Sequence, residues 1–419
     1  MRALSGLNKL VGFGLSMALL AIAALVAIPA MIRSSGENAW GAIALGQNLG
    51  AFGAMLIAYG WGIFGPAEIA QGDQASRTVE YLASIKVRLI LLVPTLVVVV
   101  VPSLLLSPLR PDLAAVGAVV AALTGLTATW FFVGLARPYA LMALETVPRV
   151  AFTVVGIVEM ERGADALYGL IWQGVGLLAA FVASLLWILR YLRYRPGMAA
   201  QLPGTLPLLK RYGGGVASSL GSQLYTVLPL VIVTTVAPLA QPMFALIDKL
   251  YRQVLVALLP IVSVLQGWVP RGEDPAQRVR TMMWWTLGMC ATIGVGTVLV
   301  GPWILHFLGA GALTPTAIEI ALLAVLLAVT FFVSVLGHAV LGTYRELRAL
   351  ARSTTIGTLI GMPLVAVGVW FFGVPGALLG MLIGMTVRLS IKLAVTRRCL
   401  RSGPPPAPRA AAETDVILD

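Results

Sequence analysis

Histidine and cysteine are almost missing from the 419 residues: there are two of each. Cys290 and Cys399 make no disulfide framework and no metal motif. His306, read as part of an outer loop, and His338 have no carboxylate or cysteine at ligand spacing. On its apolar helix, His338 reads as a hydrogen-bonded packing residue rather than a proton relay. P-loop, G-x-S-x-G and paired-carboxylate signatures are absent as well, so the chain shows no sign of being an enzyme and calls for no cofactor. Charge is scarce too, at 11% of residues, with 17 acids against 29 lysines and arginines. The net charge of +12 is scattered between apolar segments rather than gathered on one face, which excludes a nucleic-acid partner and suits an anionic membrane surface.

What fills the chain instead is apolar sequence. Hydrophobic residues make up 59% and the mean hydropathy is +0.94, more apolar surface than a water-soluble fold of this length can hide. Taking about 20 apolar residues per crossing, the sequence predicts about twelve transmembrane helices. They fall near 10–30, 40–65, 88–106, 113–135, 139–158, 166–190, 213–236, 243–268, 280–301, 316–341, 352–371 and 375–395. Glu145, Pro148 and Arg149 interrupt the start of the fifth. The first run is too long for a signal-peptide core and lacks an A-x-A site, so it reads as a retained span.

The loops orient these spans. Arg77, Lys86 and Arg88 follow the second; Arg190, Arg193, Arg195, Lys210 and Arg211 the sixth; Arg271, Arg278 and Arg280 the eighth; Arg345 and Arg348 the tenth. Arg397, Arg398 and Arg401 follow the last, whereas the odd-numbered loops are poor in Lys and Arg. The asymmetry predicts a multi-pass membrane protein with both termini cytoplasmic. The basic, proline-bearing loop after the sixth span divides the chain into an N-terminal six-helix lobe (1–196), an inter-lobe loop (197–212), a C-terminal six-helix lobe (213–396) and a disordered tail (397–419). A weak internal repeat accompanies this division: WFFVG at 130–134 and RVAFTVVG at 149–156 resemble FFVSVLG at 331–337 and RSTTIG at 352–357. The fold class is thus an all-α polytopic membrane protein, with about twelve helices in two six-helix lobes around a central cavity.

One apolar stretch carries three charges. In MFALIDKLYRQVLVALLP, at 243–260, Asp248 and Arg252 are four residues apart and can pair on a helix, and Lys249 lies within a turn of Arg252. One acid against two cations leaves positive charge at membrane depth, where charges usually face a bundle interior or a wet cavity. The cations can instead snorkel to the outer surface, about three turns away; Asp248, a poor snorkeller, favours a polar pocket. Gln47, Gln223 and Gln266 lie in the second, seventh and eighth spans, either as glue between helices or as a polar interior between lobes. Arg33 ends the first span. If Lys249 and Arg252 lie in the outer half of the membrane, first cytoplasmic contact with a substrate falls to Lys9 and Arg88.

Several short motifs, in order along the chain, resemble one family. GENAWG at 36–41 looks like its turn after the first helix, and YGWGIFGPAEIA at 59–70 like its second-helix ending. WFFVG at 130–134 is similar to its fourth-helix W-F-x-x-G, and FALIDKL at 244–250 with QGWVP at 266–270 to its eighth helix. Together they resemble the Wzx-type O-antigen and exopolysaccharide flippases of the multidrug/oligosaccharidyl-lipid/polysaccharide exporter superfamily. The resemblance implies a transporter that moves an undecaprenyl-pyrophosphate-linked oligosaccharide to the periplasmic leaflet, with membrane lipids, a polysaccharide polymerase and a chain-length regulator as partners. It carries the family's basic eighth-helix position to Lys249 and its arginine after the first helix to Arg33. The coupling ion, H+ or Na+, stays open. A cation-coupled multidrug exporter of the same fold would prefer acidic cavity walls, which the Asp248, Lys249 and Arg252 set opposes. A membrane glycosyltransferase or polymerase would carry a large outer loop or an acidic catalytic motif, and neither is present.

Overall fold

In the computed structural model the described residues are 2–195, 197, 202–271, 274–344 and 346–402. They are helical nearly throughout, and among them no strand occurs. The helices are α1 (Arg2–Ser35), α2 (Glu37–Ala58), α3 (Trp61–Gln71), α4 (Gln74–Leu106), α5 (Pro111–Leu123), α6 (Thr129–Gly134) and α7 (Pro138–Leu141). They continue as α8 (Val147–Glu161), α9 (Ala166–Tyr191), α10 (Thr205–Val236), α11 (Gln241–Trp268), α12 (Pro275–Leu308), α13 (Ala317–Val335) and α14 (Leu347–Ser402). Ten stretches among the described residues are long and apolar enough to span a membrane, and the Gln223–Val236 part of α10 is a shorter apolar helix.

The last stretch holds two crossings. At 1.5 Å per residue its 56 residues would run about 84 Å, far beyond a hydrocarbon core of about 30 Å. Gly373, at φ 60° and ψ −140°, breaks it in a backbone region that side chains with a Cβ rarely adopt. The arms double back with glycine against glycine: Gly368 meets Gly376, and Gly361 and Gly357 both meet Gly384. This matches the eleventh and twelfth crossings expected from the sequence, so about twelve helices is the right count.

Several boundaries differ from the sequence reading for local reasons. The second span is two helices, parted at Tyr59 and Gly60, both left-handed (φ 42° and 84°). The segment expected to be loop up to residue 212 is already α10 from Thr205, because Pro207 falls in the first turn, where proline is tolerated, and Tyr212 is buried against Trp61. Residues 397–402, assigned above to the tail, complete α14; 403–419 lie outside the described residues. His306 sits in the last turn of α12, not in a loop.

By contacts the chain forms two compact units. One comprises Met1–Leu250, Val300–Ala317 and Val365–Ala377; the other comprises Tyr251–Leu299, Ile318–Leu364 and the chain from Leu378 onward. In the first unit, α2 and α5 run side by side in the same direction, close enough that a Cβ on Gly46 would fall on the Ala114 carbonyl oxygen and one on Gly50 on that of Ala118. Small residues four apart let two backbones approach this closely where no water drives association. Near one end of the same unit, Trp61, Tyr81, Trp130, Phe131 and Phe132 make an aromatic core. In the second unit, α11, α12 and α13 pack through Val262, Leu265, Met282, Phe331 and Leu336. Lys392 of α14 is 3% exposed there, its Nζ donating to the Val333 carbonyl at 2.9 Å just before a π-helical turn, Leu336–Leu341. Gly337 leaves the room that this ammonium occupies.

Replacing Gly50 with valine is expected to destabilise the detergent-solubilised protein by about 1–3 kcal/mol or more, read as a fall in Tm. Gly62→Ala, where a Cβ would meet nothing within 4 Å, should leave Tm within the error of the measurement.

Candidate functional site

The packing of α2 on α5 decides which way α2 presents its polar residues. With Gly46 and Gly50 against α5, Gln47 and Ala51 turn into a cavity of about 270 Å³ inside the first unit. Alanines open it: Ala23 and Ala24 of α1, Ala51 of α2 and Ala121 of α5 leave space that larger side chains would fill. Gln47 lies ten residues beyond Glu37, about 15 Å along the helix and so near mid-depth of a core about 30 Å thick.

The rest of the polar lining comes from four further elements. Thr124 follows α5 in a short 3-10 turn, Arg149 and Thr153 lie on α8, Gln173 on α9 and Lys249 on α11. Lys249 Nζ donates to Gln47 Oε1 at 3.2 Å. Both threonine hydroxyls donate to their own helices, Thr124 to the Ala121 carbonyl at 2.6 Å and Thr153 to that of Arg149 at 2.8 Å, which leaves their oxygens to accept.

Arg149 owes its place to a neighbour that is otherwise engaged. Glu145, one turn earlier, belongs to a π-helical turn, Met142–Thr146, and is 1% exposed. Its carboxylate accepts from the Ala128 N–H at 2.6 Å and the Thr129 hydroxyl at 2.7 Å, where it caps α6, and from Ser184 at 3.5 Å. That acid is bound to the first turn of another helix, and among the described residues Arg149 makes no ion pair within 4 Å with it or any other carboxylate. The cavity thus presents two cations, two amides and two hydroxyl oxygens, with no acid among its lining residues. Chemically this is a place for oxyanions: a guanidinium offers a planar fork of donors and an ammonium a point charge.

Of the residues singled out from the sequence, Lys249 and Gln47 meet at this cavity. Asp248, its neighbour on α11, is buried and does not line it, and Arg252 belongs to the second unit. Gln223 on α10 is half-buried and is not a lining residue; Gln266 is exposed in the second unit. Lys9 is exposed near the start of α1. Arg88 is corrected outright: it is 1% exposed, lies over the Trp130 and Trp61 rings at 5.4 and 6.0 Å, and donates to the Thr127 carbonyl at 2.9 Å. A guanidinium packed against indoles is part of the core and not of the cavity lining. Arg149 and Gln173 went unrecognised, although each is a polar residue within an apolar run. The internal similarity hid Arg149 as a repeat residue at a doubtful helix start.

Arg33 is also engaged elsewhere. It pairs with Glu161, and next to it Ser35 donates to Asp165 at 3.1 Å while Arg110 bridges Asp112 and Asp165, each at 2.9 Å. This network ties the ends of α1 and α8 to the starts of α5 and α9. Burial raises the Asp165 carboxyl, but the Arg110 hydrogen bonds, the Leu167 N–H and Ser35 outweigh it and hold the group below its ordinary range. Among the described residues no three His, Cys, Asp or Glu side chains gather as a metal site.

No protein-family model matches the chain, and no curated protein matches it. Solved structures do. A multidrug-resistance MATE family transporter of the MOP superfamily in an inward-facing conformation superposes with a TM-score of 0.66 at 16% identity, over 91% of this chain and 98% of that one. A MATE protein in a bent conformation gives 0.56 at 16% identity, over 95% of each chain. A mutant MATE transporter from Vibrio cholerae gives 0.52 at 14% identity, over 96% of this chain and 98% of that one. At such identities the likeness establishes the fold alone, that of an all-helical membrane protein.

Because the Asp165 carboxyl is held below its ordinary value, its contribution to stability is complete above that value and is lost as pH falls through the lower, folded one. Tm of the solubilised protein should therefore fall on acidification below the ordinary carboxylate range more steeply for the wild type than for Asp165→Asn, a comparison read by scanning fluorimetry.

Proposed function

We propose that this chain is a membrane transporter whose cargo is anionic and lipid-anchored: an oligosaccharide on an undecaprenyl pyrophosphate, passed from the cytoplasmic to the periplasmic leaflet of a bacterial inner membrane for surface polysaccharide assembly. One observation carries the reading. Arg149 and Lys249 line the same mid-depth cavity, and no acid lines it with them. Two cations facing one cavity with no acid in its lining are costly in a low-dielectric zone, and an anionic cargo offsets that cost. At about 270 Å³ the cavity is sized for a phosphate-bearing head, not for a whole glycan. The sugars would pass beside it and the prenyl chain would stay in lipid. The shared fold supports transport over synthesis, with a polymerase and a chain-length regulator as protein partners and H+ or Na+ as the coupling ion.

The solved neighbours favour a second reading. Two of them are multidrug resistance MATE family transporters, one inward-facing and one outward-facing, and the latter superposes with a TM-score of 0.51. A cation-coupled multidrug exporter therefore has the better support from fold likeness, whereas the charge in the cavity supports an anionic cargo.

A double variant separates the two. Charge-assisted hydrogen bonds contribute about 1.5–3 kcal/mol each, so Arg149→Gln with Lys249→Gln should lower delivery of lipid-linked sugar at least tenfold while the protein still inserts. Surface polymer and periplasmic lipid-linked oligosaccharide are the readouts. Normal polymer together with altered resistance to cationic dyes would rule out the sugar reading in favour of drug export.

A further inference from the structure

We infer that the first unit carries a binding site for an anionic phospholipid at its arginine-rich end, centred on Arg137. This site is separate from the cavity and does not depend on the cargo. Arg137 sits in the tight link between α6 and α7, after Ala136 in the left-handed region (φ 52°). Its guanidinium lies over two rings of α9 at once, 4.8 Å from the Tyr191 centroid and 5.5 Å from that of Trp187. Those rings stack at 5.3 Å with only 4° between their planes, and Phe132 backs Trp187 at 5.5 Å. The aromatic floor takes the face of the guanidinium and leaves its N–H edge for oxygens, and among the described residues that edge makes no hydrogen bond.

More cations stand at the same end of the unit. Arg190 in the last turn of α9 is exposed, as are Arg193, in a left-handed turn at φ 51°, and Arg195. Nearby carboxylates are committed to other partners. Asp73 caps α4 through the Ser76 N–H at 2.8 Å, and Glu68 pairs with Arg211 at 2.8 Å. Glu80 accepts from Trp61 at 2.6 Å and Tyr212 at 2.5 Å. Away from the arginines the surface turns apolar: Val182 and Leu186 precede Arg190 at four-residue spacing on α9, and Val133 precedes Arg137 by four; all three are exposed. Cations over stacked aromatics, continued by an aliphatic stripe, fit a phosphate head with its acyl chains alongside. Loop charge places this end in the cytoplasmic leaflet, where anionic lipids collect.

Native mass spectrometry of the full-length protein tests this, using an equimolar mixture of phosphatidylglycerol and phosphatidylcholine with the same acyl chains. The wild type should retain phosphatidylglycerol preferentially. Removing one surface cation, by Arg137→Gln or by Arg193→Gln, should lower that preference about fivefold. Arg137→Lys, which keeps the charge and loses the planar fork, should fall between, and Arg162→Gln, in the loop between α8 and α9, should match the wild type. Equal retention of the two lipids, or an unchanged preference in Arg137→Gln and Arg193→Gln, overturns the proposal. Displacement of the lipid by excess inorganic phosphate also overturns it, since the site would then take free phosphate. If Arg137→Gln fails to elute as a single species, Arg193→Gln decides alone.

Discussion

The contact of α2 with α5 is the constraint on which the first unit depends. Gly46 and Gly50 bring the backbones together and fix the rotation of α2 about its axis. Every other face of α2 then has an assigned task. Gln47 meets Lys249, Asn48 donates to the Val227 carbonyl at 2.9 Å, and the Gly41 carbonyl accepts from Gln241 at 3.0 Å. A helix in lipid satisfies its own backbone, so what it offers its neighbours is side chains and the occasional doubly used carbonyl. A rotation by one residue would aim Gln47 at α5 and take the amide out of the cavity.

Charges buried within the spans meet three different ends. Arg88 is absorbed by indole faces and one carbonyl, Glu145 is consumed by the first turn of α6, and Lys392 is held on a carbonyl beside a π-helical turn. Arg149 and Lys249 differ in facing a cavity without an acid. Sequence distance does not separate these cases. Arg88 and Arg149 both stand in apolar surroundings at the edge of a predicted span, and only the tertiary position of Trp61 and Trp130 makes the first a core residue.

Hydropathy made the crossings legible, and with them the class of fold, because a bilayer imposes one length and one composition on every span. Loop charge likewise suggested an orientation. The breaks within spans were harder to see. Tyr59 takes a left-handed conformation because the chain turns there, and nothing in its chemistry announces it. The cavity was half visible: Lys249 and Gln47 drew notice as polar residues at depth, whereas Arg149 was discounted with Glu145 and Pro148 as a helix interruption. That discount failed because a π-helical turn absorbs the irregularity and lets α8 continue with its arginine facing inward. The surroundings of Arg33 and Arg88 were not legible, because pairing with Glu161 and stacking on tryptophans are long-range facts.

The fold of α14 at Gly373 bears on how the last part of the chain enters the membrane. Its two arms touch through residues close in sequence, Gly368 with Gly376 and, further along, Gly361 with Gly384. Such contacts close small loops, at little entropic cost and without waiting for distant helices. Two crossings joined at a sharp turn with their seam in local contact are one hairpin, and both its free ends lie on the same side. The glycine seam thereby ties the direction of the eleventh crossing to that of the twelfth, so the arginines beyond the hairpin need only keep a terminus from being pulled across.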